Sequence, residues 1–149
     1  MVVRERDPEP VLQFSVFTAN RTGRLHEVAH RLAAHEVHIM ALSVLDTTDS
    51  TVLRLVVDDP DRAREVLDKY GFPYVETPLL VVEIDHERQL KDVLAACFEA
   101  ELNIHYTYPF LTRPGGRSAL AINIEHSDVA EHALRRHQFR VLYQTDIAR

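Results

Sequence analysis

Apolar positions fall into short blocks that alternate between strand and helix spacing along the chain. Leu12 to Phe17 is a β-prone apolar run, and Ala19-Asn-Arg-Thr-Gly-Arg-Leu25 breaks it as a turn. Apolar residues return at Leu25, Val28, Ala29 and Leu32, the spacing of one buried helix face. Val37 to Leu45 has strand composition, Asp46-Thr-Thr-Asp-Ser50 carries turn chemistry, and Thr51 to Val57 predicts the second arm of a hairpin. Asp59-Pro60 predicts an N-cap with proline at the first helical position. Ala63, Val66 and Leu67 give that helix its buried stripe, and Gly71 ends it. Phe72 to Thr77 reads as a closing strand, so the order is βαββαβ.

The second half repeats the first. A shift of 65 residues lays Asp85-His-Glu-Arg-Gln-Leu90 on Asn20-Arg-Thr-Gly-Arg-Leu25, and Leu102-Asn-Ile104 on Val37-His-Ile39. After a two-residue insertion in the hairpin loop, a shift of 67 lays Leu120 on Leu53, Ile124 on Val57, Ala130 on Ala63, Leu134 on Leu67 and Phe139 on Phe72. Agreement of phase in strands and helices together points to a duplication. The expected organisation is a disordered leader over 1–10, one unit over 11–77 and a second over 78–149, joined near Thr77-Pro78 with almost no linker. Each unit has about 70 residues, near the lower limit for a self-supporting core. The strand from His38 to Leu45 is apolar on both faces, with Ile39, Ala41 and Leu45 on one and Met40, Leu42 and Val44 on the other. Helices cover one face, so the other predicts packing of unit on unit and a homodimer.

Composition narrows the function classes. Seventeen basic against twenty-three acidic residues argue against non-specific nucleic-acid binding, which needs clustered Lys and Arg. The lone cysteine, Cys97, fits a reducing cytoplasm and lies on a helical apolar stripe with Leu90, Val93 and Leu94, where a buried, inert thiol is expected. No apolar h-region opens the chain and no apolar run approaches the ~18 residues of a membrane span, so a cytoplasmic location without membrane association is expected. Only four glycines occur, and none lies in a phosphate-binding GxGxxG or GxxxxGK[ST] loop. No cofactor is expected.

Two segments carry candidate chemistry. At the turn into the first helix, unpaired backbone N–H groups and the helix dipole suit an α-carboxylate, and Gly23 lacks the Cβ that would block approach. Asn20 offers an amide oxygen to an α-ammonium group, and Thr22 adds a hydroxyl. Capping of the helix accounts for the same residue types. His26-Glu-Val-Ala-His30 matches H-E-x-x-H, the pattern of zinc hydrolases. Its histidines fall next to the buried stripe on an outward face, and the third-ligand position of the longer motif is Glu36, so no metal site is expected. Tyr106, Tyr108 and Phe110 alternate along one strand, but the facing strand Ser118 to Ile124 supplies no aromatic and little positive charge, which favours an interface or core role over base stacking. His86, His126, His132 and His137 fall in polar context and read as solvated. Arg113-Pro-Gly-Gly-Arg117 reads as an exposed turn.

The turn Asn20-Arg-Thr-Gly-Arg-Leu25 resembles the Asn/Asp-x-Pro-Gly-x-Leu motif of ACT domains, small βαββαβ modules that bind free amino acids and regulate metabolic enzymes, with Thr22 where proline is usual. Val37-His-Ile39 and Leu102-Asn-Ile104 are similar to the Ile-Asn-Ile segment that opens the second strand of those modules. The resemblance spans roughly residues 11 to 145. It implies an α+β fold of two ferredoxin-like βαββαβ modules with antiparallel sheets packed together, and a non-catalytic sensor rather than an enzyme. In such modules the ligand lies between the first turn and the second strand of a neighbouring module. That implicates Asn20, Thr22, Gly23, Arg24 and Leu25, faced by Asn103 and Ile104 or their counterparts His38 and Ile39. With Arg88 in the glycine position, the second turn is expected to be closed or altered. Partners implied are a free amino acid, a second copy of the chain and a separate metabolic enzyme. One candidate enzyme is acetolactate synthase, whose regulatory subunit carries such a module. A zinc-dependent hydrolase built on His26 and His30 is the alternative from another class.

Overall fold

The computed structural model describes residues 8–19 and 21–148. The elements run β1 (Val11–Ala19), α1 (Arg24–Ala34), β2 (Ile39–Asp46), β3 (Ser50–Val57), α2 (Pro60–Lys69), β4 (Tyr74–Ile84), α3 (Gln89–Glu99), β5 (Ile104–Pro109), a 3-10 turn at Pro114–Gly116, β6 (Ser118–Ile124), α4 (Ser127–Arg136), β7 (Val141–Leu142) and α5 (Gln144–Ile147). This is βαββαβ twice, all pairings antiparallel, with one strand serving both units. Residues Tyr74 to Leu79 of β4 pair with β1 as the last strand of the first unit. Residues Leu80 to Ile84 pair with β6 and β7 as the first strand of the second. The order β2-β3-β1-β4-β6-β5 is therefore continuous, and the junction expected at Thr77-Pro78 lies inside β4.

The helices begin and end as the sequence chemistry directs. Asp59 caps α2 by accepting from the Arg62 N–H at 3.1 Å, with Pro60 in the first turn. Four helices stop at a left-handed residue: Glu36, Gly71, Glu101 and Gln138. In each case the following N–H reaches back to a carbonyl five residues earlier, as in Val37 to Leu32, Phe72 to Leu67, Leu102 to Cys97 and Phe139 to Leu134. The stops repeat at the offsets of 65 and 67, and a β-bulge recurs between Ile39 and Ala41 and between Ile104 and Tyr106.

Each unit covers one sheet face with its own two helices. Phe14, Val16, Val28, Leu32, Leu55 and Leu67 centre the first core, and Val82, Val93, Ile122 and Leu134 the second. The opposite faces pack on each other through a third cluster, in which Val11, Val56 and Leu79 meet Val81, Tyr108 and Ala121. The sheet curls far enough for its edge strands to touch, Ala41 bridging to Phe110. The bulge breaks the simple alternation of β2, so Met40 and Ala41 are both buried in this interface, while Leu42, Val44 and Leu45 stay exposed.

A polar group sits in the middle of that interface. Gln13 is fully buried; its Nε2 donates to Tyr106 Oη at 2.8 Å, and its Oε1 accepts from Tyr108 Oη at 2.7 Å. The two tyrosine rings stack, and Arg54 lies 3.6 Å from the Tyr106 ring centre. The aromatic alternation of β5 thus serves unit packing. Burial pushes the Tyr108 phenol far above its ordinary value of 10.0. A proton held by the folded state and released by the unfolded one makes stability fall as pH rises above ~10. Tyr108→Phe removes that part of the alkaline loss while costing about 1–3 kcal/mol at neutral pH, because Gln13 Oε1 loses its donor; urea melts at pH 7 and above pH ~10 check both signs.

Candidate functional site

Gly23 occupies the N-cap position of α1 with φ 87° and ψ −7°, in the left-handed region that a Cβ strains. A Cβ built there would meet nothing within 4 Å. The glycine therefore answers to the bend of the backbone, and the space outside it is open. Thr22 is exposed beside it, and Leu25 is exposed one turn into the helix rather than buried in the stripe. Arg24 is fixed from two sides: Nη1 pairs with Glu27 Oε2 at 2.8 Å, and the guanidinium lies over Phe72, 5.2 Å from the ring centre. Asn20 lies outside the described residues.

The remaining candidates are not at this turn. Along β3, Ser50 pairs with Ala19 and Val57 with Ile39, seven residues apart. At the strand rise this separates the Gly23 turn from His38 and Ile39 by ~23 Å. Ile104 is likewise set far from the second turn, pairing with Ile124 while Ile84 pairs with Ser118. Exposed Asn103 lines a surface hollow of about 530 Å³ with Phe98, Glu99, Glu101 and Leu102. The two halves of the candidate set thus stand at opposite ends of a unit.

At the strand start, a clasp escaped sequence reading. The His38 N–H and Nδ1 both meet the Asp58 carboxylate at 2.8 Å, and the Asp58 N–H donates to the His38 carbonyl at 3.1 Å. In the second unit the Asn103 N–H donates to Glu125 Oε1 at 3.0 Å, and the Glu125 N–H returns to the Asn103 carbonyl at 3.3 Å. Asp58 and Glu125 align at the offset of 67, which was the available signal. The two turns, by contrast, have diverged. Arg88, in the place of Gly23, has helical backbone (φ −64°, ψ −25°) and is exposed, so the left-handed bend is lost.

A family model for the ACT domain pair matches residues 10–149. The chain belongs to the ACT domain pair family. Among solved structures, this ACT pair is similar to protein BT0572 from Bacteroides thetaiotaomicron, at 26% identity over 94% of this chain and 96% of that one, with a TM-score of 0.84. It shares its fold with the regulatory subunit of aspartate kinase from Thermus thermophilus, at 17% identity over 89% and 93% of the two chains and a TM-score of 0.62. The corresponding subunit from Thermus flavus matches at 16% identity, 87% and 93% coverage and a TM-score of 0.57. No curated protein matches the chain.

The other residues singled out in the sequence lie as follows in the ACT pair. The His26 and His30 rings stack in parallel, 5.9 Å apart, on the exposed surface of α1, and Glu27 between them is paired with Arg24. No group of three or more His, Cys, Asp or Glu side chains able to hold a metal occurs among the described residues. Cys97 is buried, and burial pushes its thiol pKa up, away from the reactive thiolate. Arg117 at the turn into β6 pairs with Glu83 at 3.2 Å and Asp85 at 3.1 Å. No helix among the described residues is long and apolar enough to cross a membrane. Protein purified without an affinity tag or added zinc is expected to hold well under one zinc per chain and to keep its Tm in EDTA; a stoichiometric, tightly held zinc would return the histidine pair to the functional site.

Proposed function

We propose that this ACT pair is a non-catalytic sensor that binds a free amino acid at the head of α1 and regulates a separate enzyme of amino-acid metabolism. The observation that carries the reading is the left-handed Gly23 turn, open in the first unit and replaced by helical Arg88 in the second. The α-carboxylate rests on the helix head beside Thr22, Gly23 and Arg24, and Asn20 takes the α-ammonium group. Binding acts by differential affinity for two packing arrangements, the only way a ligand moves such an equilibrium. The fold shared with aspartate kinase regulatory subunits supports a regulatory role of this kind.

The second half of the site comes from a second copy. Each unit has an outer flank formed by its first helix and its edge strand. On the first, α1 presents Leu25, Ala29 and Ala33, and Leu42 and Val44 of β2 are exposed. On the second, Leu90, Leu94 and Phe98 form a ridge one turn apart along α3, with Phe98 83% exposed, beside Thr107 and Pro109 of β5. Set antiparallel, Leu90 and Leu94 of one flank fall opposite Ala33 and Ala29 of the other, and Phe98 opposite Leu25. Met in antiparallel fashion between two copies, these flanks bring the end of α3, with Asn103 and Ile104, to the Gly23 turn of the partner. Pairing of two first flanks would instead bring His38 and Ile39. The stripe read as core in the sequence is in this reading half core and half interface.

Thermal unfolding against each common amino acid at millimolar concentration tests the ligand. One chemical class is expected to raise stability by ~2.7 kcal/mol when present at about a hundred times its Kd. Gly23→Asn tolerates the left-handed backbone but fills the approach, so it keeps the fold and loses the shift. A flat panel for the folded wild type would reduce the turn to a helix start. For assembly, sedimentation of Phe98→Asp is expected to give monomer where the wild type gives dimer; an unchanged mass would move the interface elsewhere.

A further inference from the structure

Under the head of α1, the helix-facing side of the first sheet changes from apolar to polar. Register places Leu42, Leu55 and Phe14 in one row across β2, β3 and β1, then Val44, Leu53 and Val16, and finally Asp46, Thr51 and Thr18. Thr51 and Thr18 in that last row are 6% and 5% exposed. Thr51 Oγ1 donates to Asp46 Oδ1 at 2.9 Å, but Thr18 Oγ1 is buried with no hydrogen-bond partner. A buried hydroxyl without a partner costs folding free energy that an isosteric valine would not. Arg24 Nε, in the first turn of α1, is buried and unpartnered as well.

The second unit lacks this feature. Ser118 is the counterpart of Thr51 at the offset of 67, and its partner on β4 is Ile84, which packs on the helix-side core. The unpaired hydroxyl therefore goes with the left-handed glycine turn, and an apolar side chain goes with Arg88. A cost carried by one copy of a duplicated unit, at the place where that copy alone keeps an open helix head, points to a group supplied from outside the chain.

We infer that Thr18 is a specificity-determining ligand contact, and that the Thr18–Thr51–Asp46 row selects an amino acid whose side chain carries an O–H or N–H donor. This rests on the amino-acid reading above. With the α-carboxylate on the helix head, the side chain of the ligand points at the row. Threonine hydroxyls donate and accept, whereas the Asp46 carboxylate only accepts. A hydroxyl, amide or ammonium group satisfies the row, a carboxylate side chain is repelled by Asp46, and an aliphatic one leaves Thr18 unpaired. The hydroxyl is covered by protein, so contact with it shifts the head of α1, which couples occupancy to the helix.

Calorimetric titration of each common amino acid into wild type, Thr18→Val and Thr18→Ser tests the inference, with Tm measured on each protein alone. Wild type is expected to prefer ligands with donor side chains. Thr18→Val is expected to keep or raise the Tm of the protein alone and to weaken that ligand roughly tenfold or more, while Thr18→Ser retains it. Equal affinity in Thr18→Val, with binding to wild type intact, would overturn the role of Thr18 and leave the sensor reading standing. Tighter binding of aliphatic than of donor-bearing amino acids to wild type overturns the inference even if Thr18→Val does not fold. Absence of any binding to wild type overturns both.

Discussion

The architecture depends on β4, one strand whose two ends belong to two sheets. Among the described residues its first half has only β1 as a neighbour, and its second half is flanked by β6 and β7. Pro78 sits at the change, next to Leu79 and Leu80, where pairing passes from β1 to β6. Its partner in register is Leu12, whose own N–H turns away from β4 to the Gln144 side chain at 3.3 Å. Leu12 and Pro78 therefore form a pair that exchanges no hydrogen bonds, and the missing donor of proline points to the side where β6 has not yet begun. The handover from one sheet to the next is placed where a strand can do without a donor.

From that handover follows the stacking of the two sheets. A strand common to both units leaves no linker to hold them apart, and the curl presses their helix-free faces together. Most of the contact is aliphatic, but Gln13 with the two tyrosines places directional bonds at its centre. Hydrophobic burial alone would accept many angles between the sheets; three paired polar groups accept few.

Much of this was legible in the chain. Hydrophobic spacing predicted the helices and strands, and the bulges and helix stops of the structure recur at the same offsets of 65 and 67. The shared strand was harder to see, because Phe72 to Thr77 reads as a closing strand and Thr77-Pro78 as a junction, whereas β4 runs through both to Ile84. Periodicity reports burial but not what covers a residue, so Leu90 and Leu94 joined the core stripe although both are exposed. The turn at Gly23 was visible as a motif. That Thr18, two residues upstream of Asn20, ends buried and unpaired was not, since a threonine at the end of a strand is ordinary until its surroundings are known. Nor did spacing reveal that His38 and Gly23 stand at opposite ends of one unit; that follows from the parallel course of β1 and β2 on either side of β3.

The Gln144 side chain does more than receive Leu12. Its Nε2 donates to the Val57 carbonyl at 3.1 Å, so one amide spans the gap between β1 and β3 just beyond their last paired residues, Gln13 and Val56. During translation, this closure waits for a residue made 132 positions after Leu12. Until that residue is made, the open end of the first unit's ladder lacks its closing amide. Maturation of the first unit is then timed by synthesis of the second.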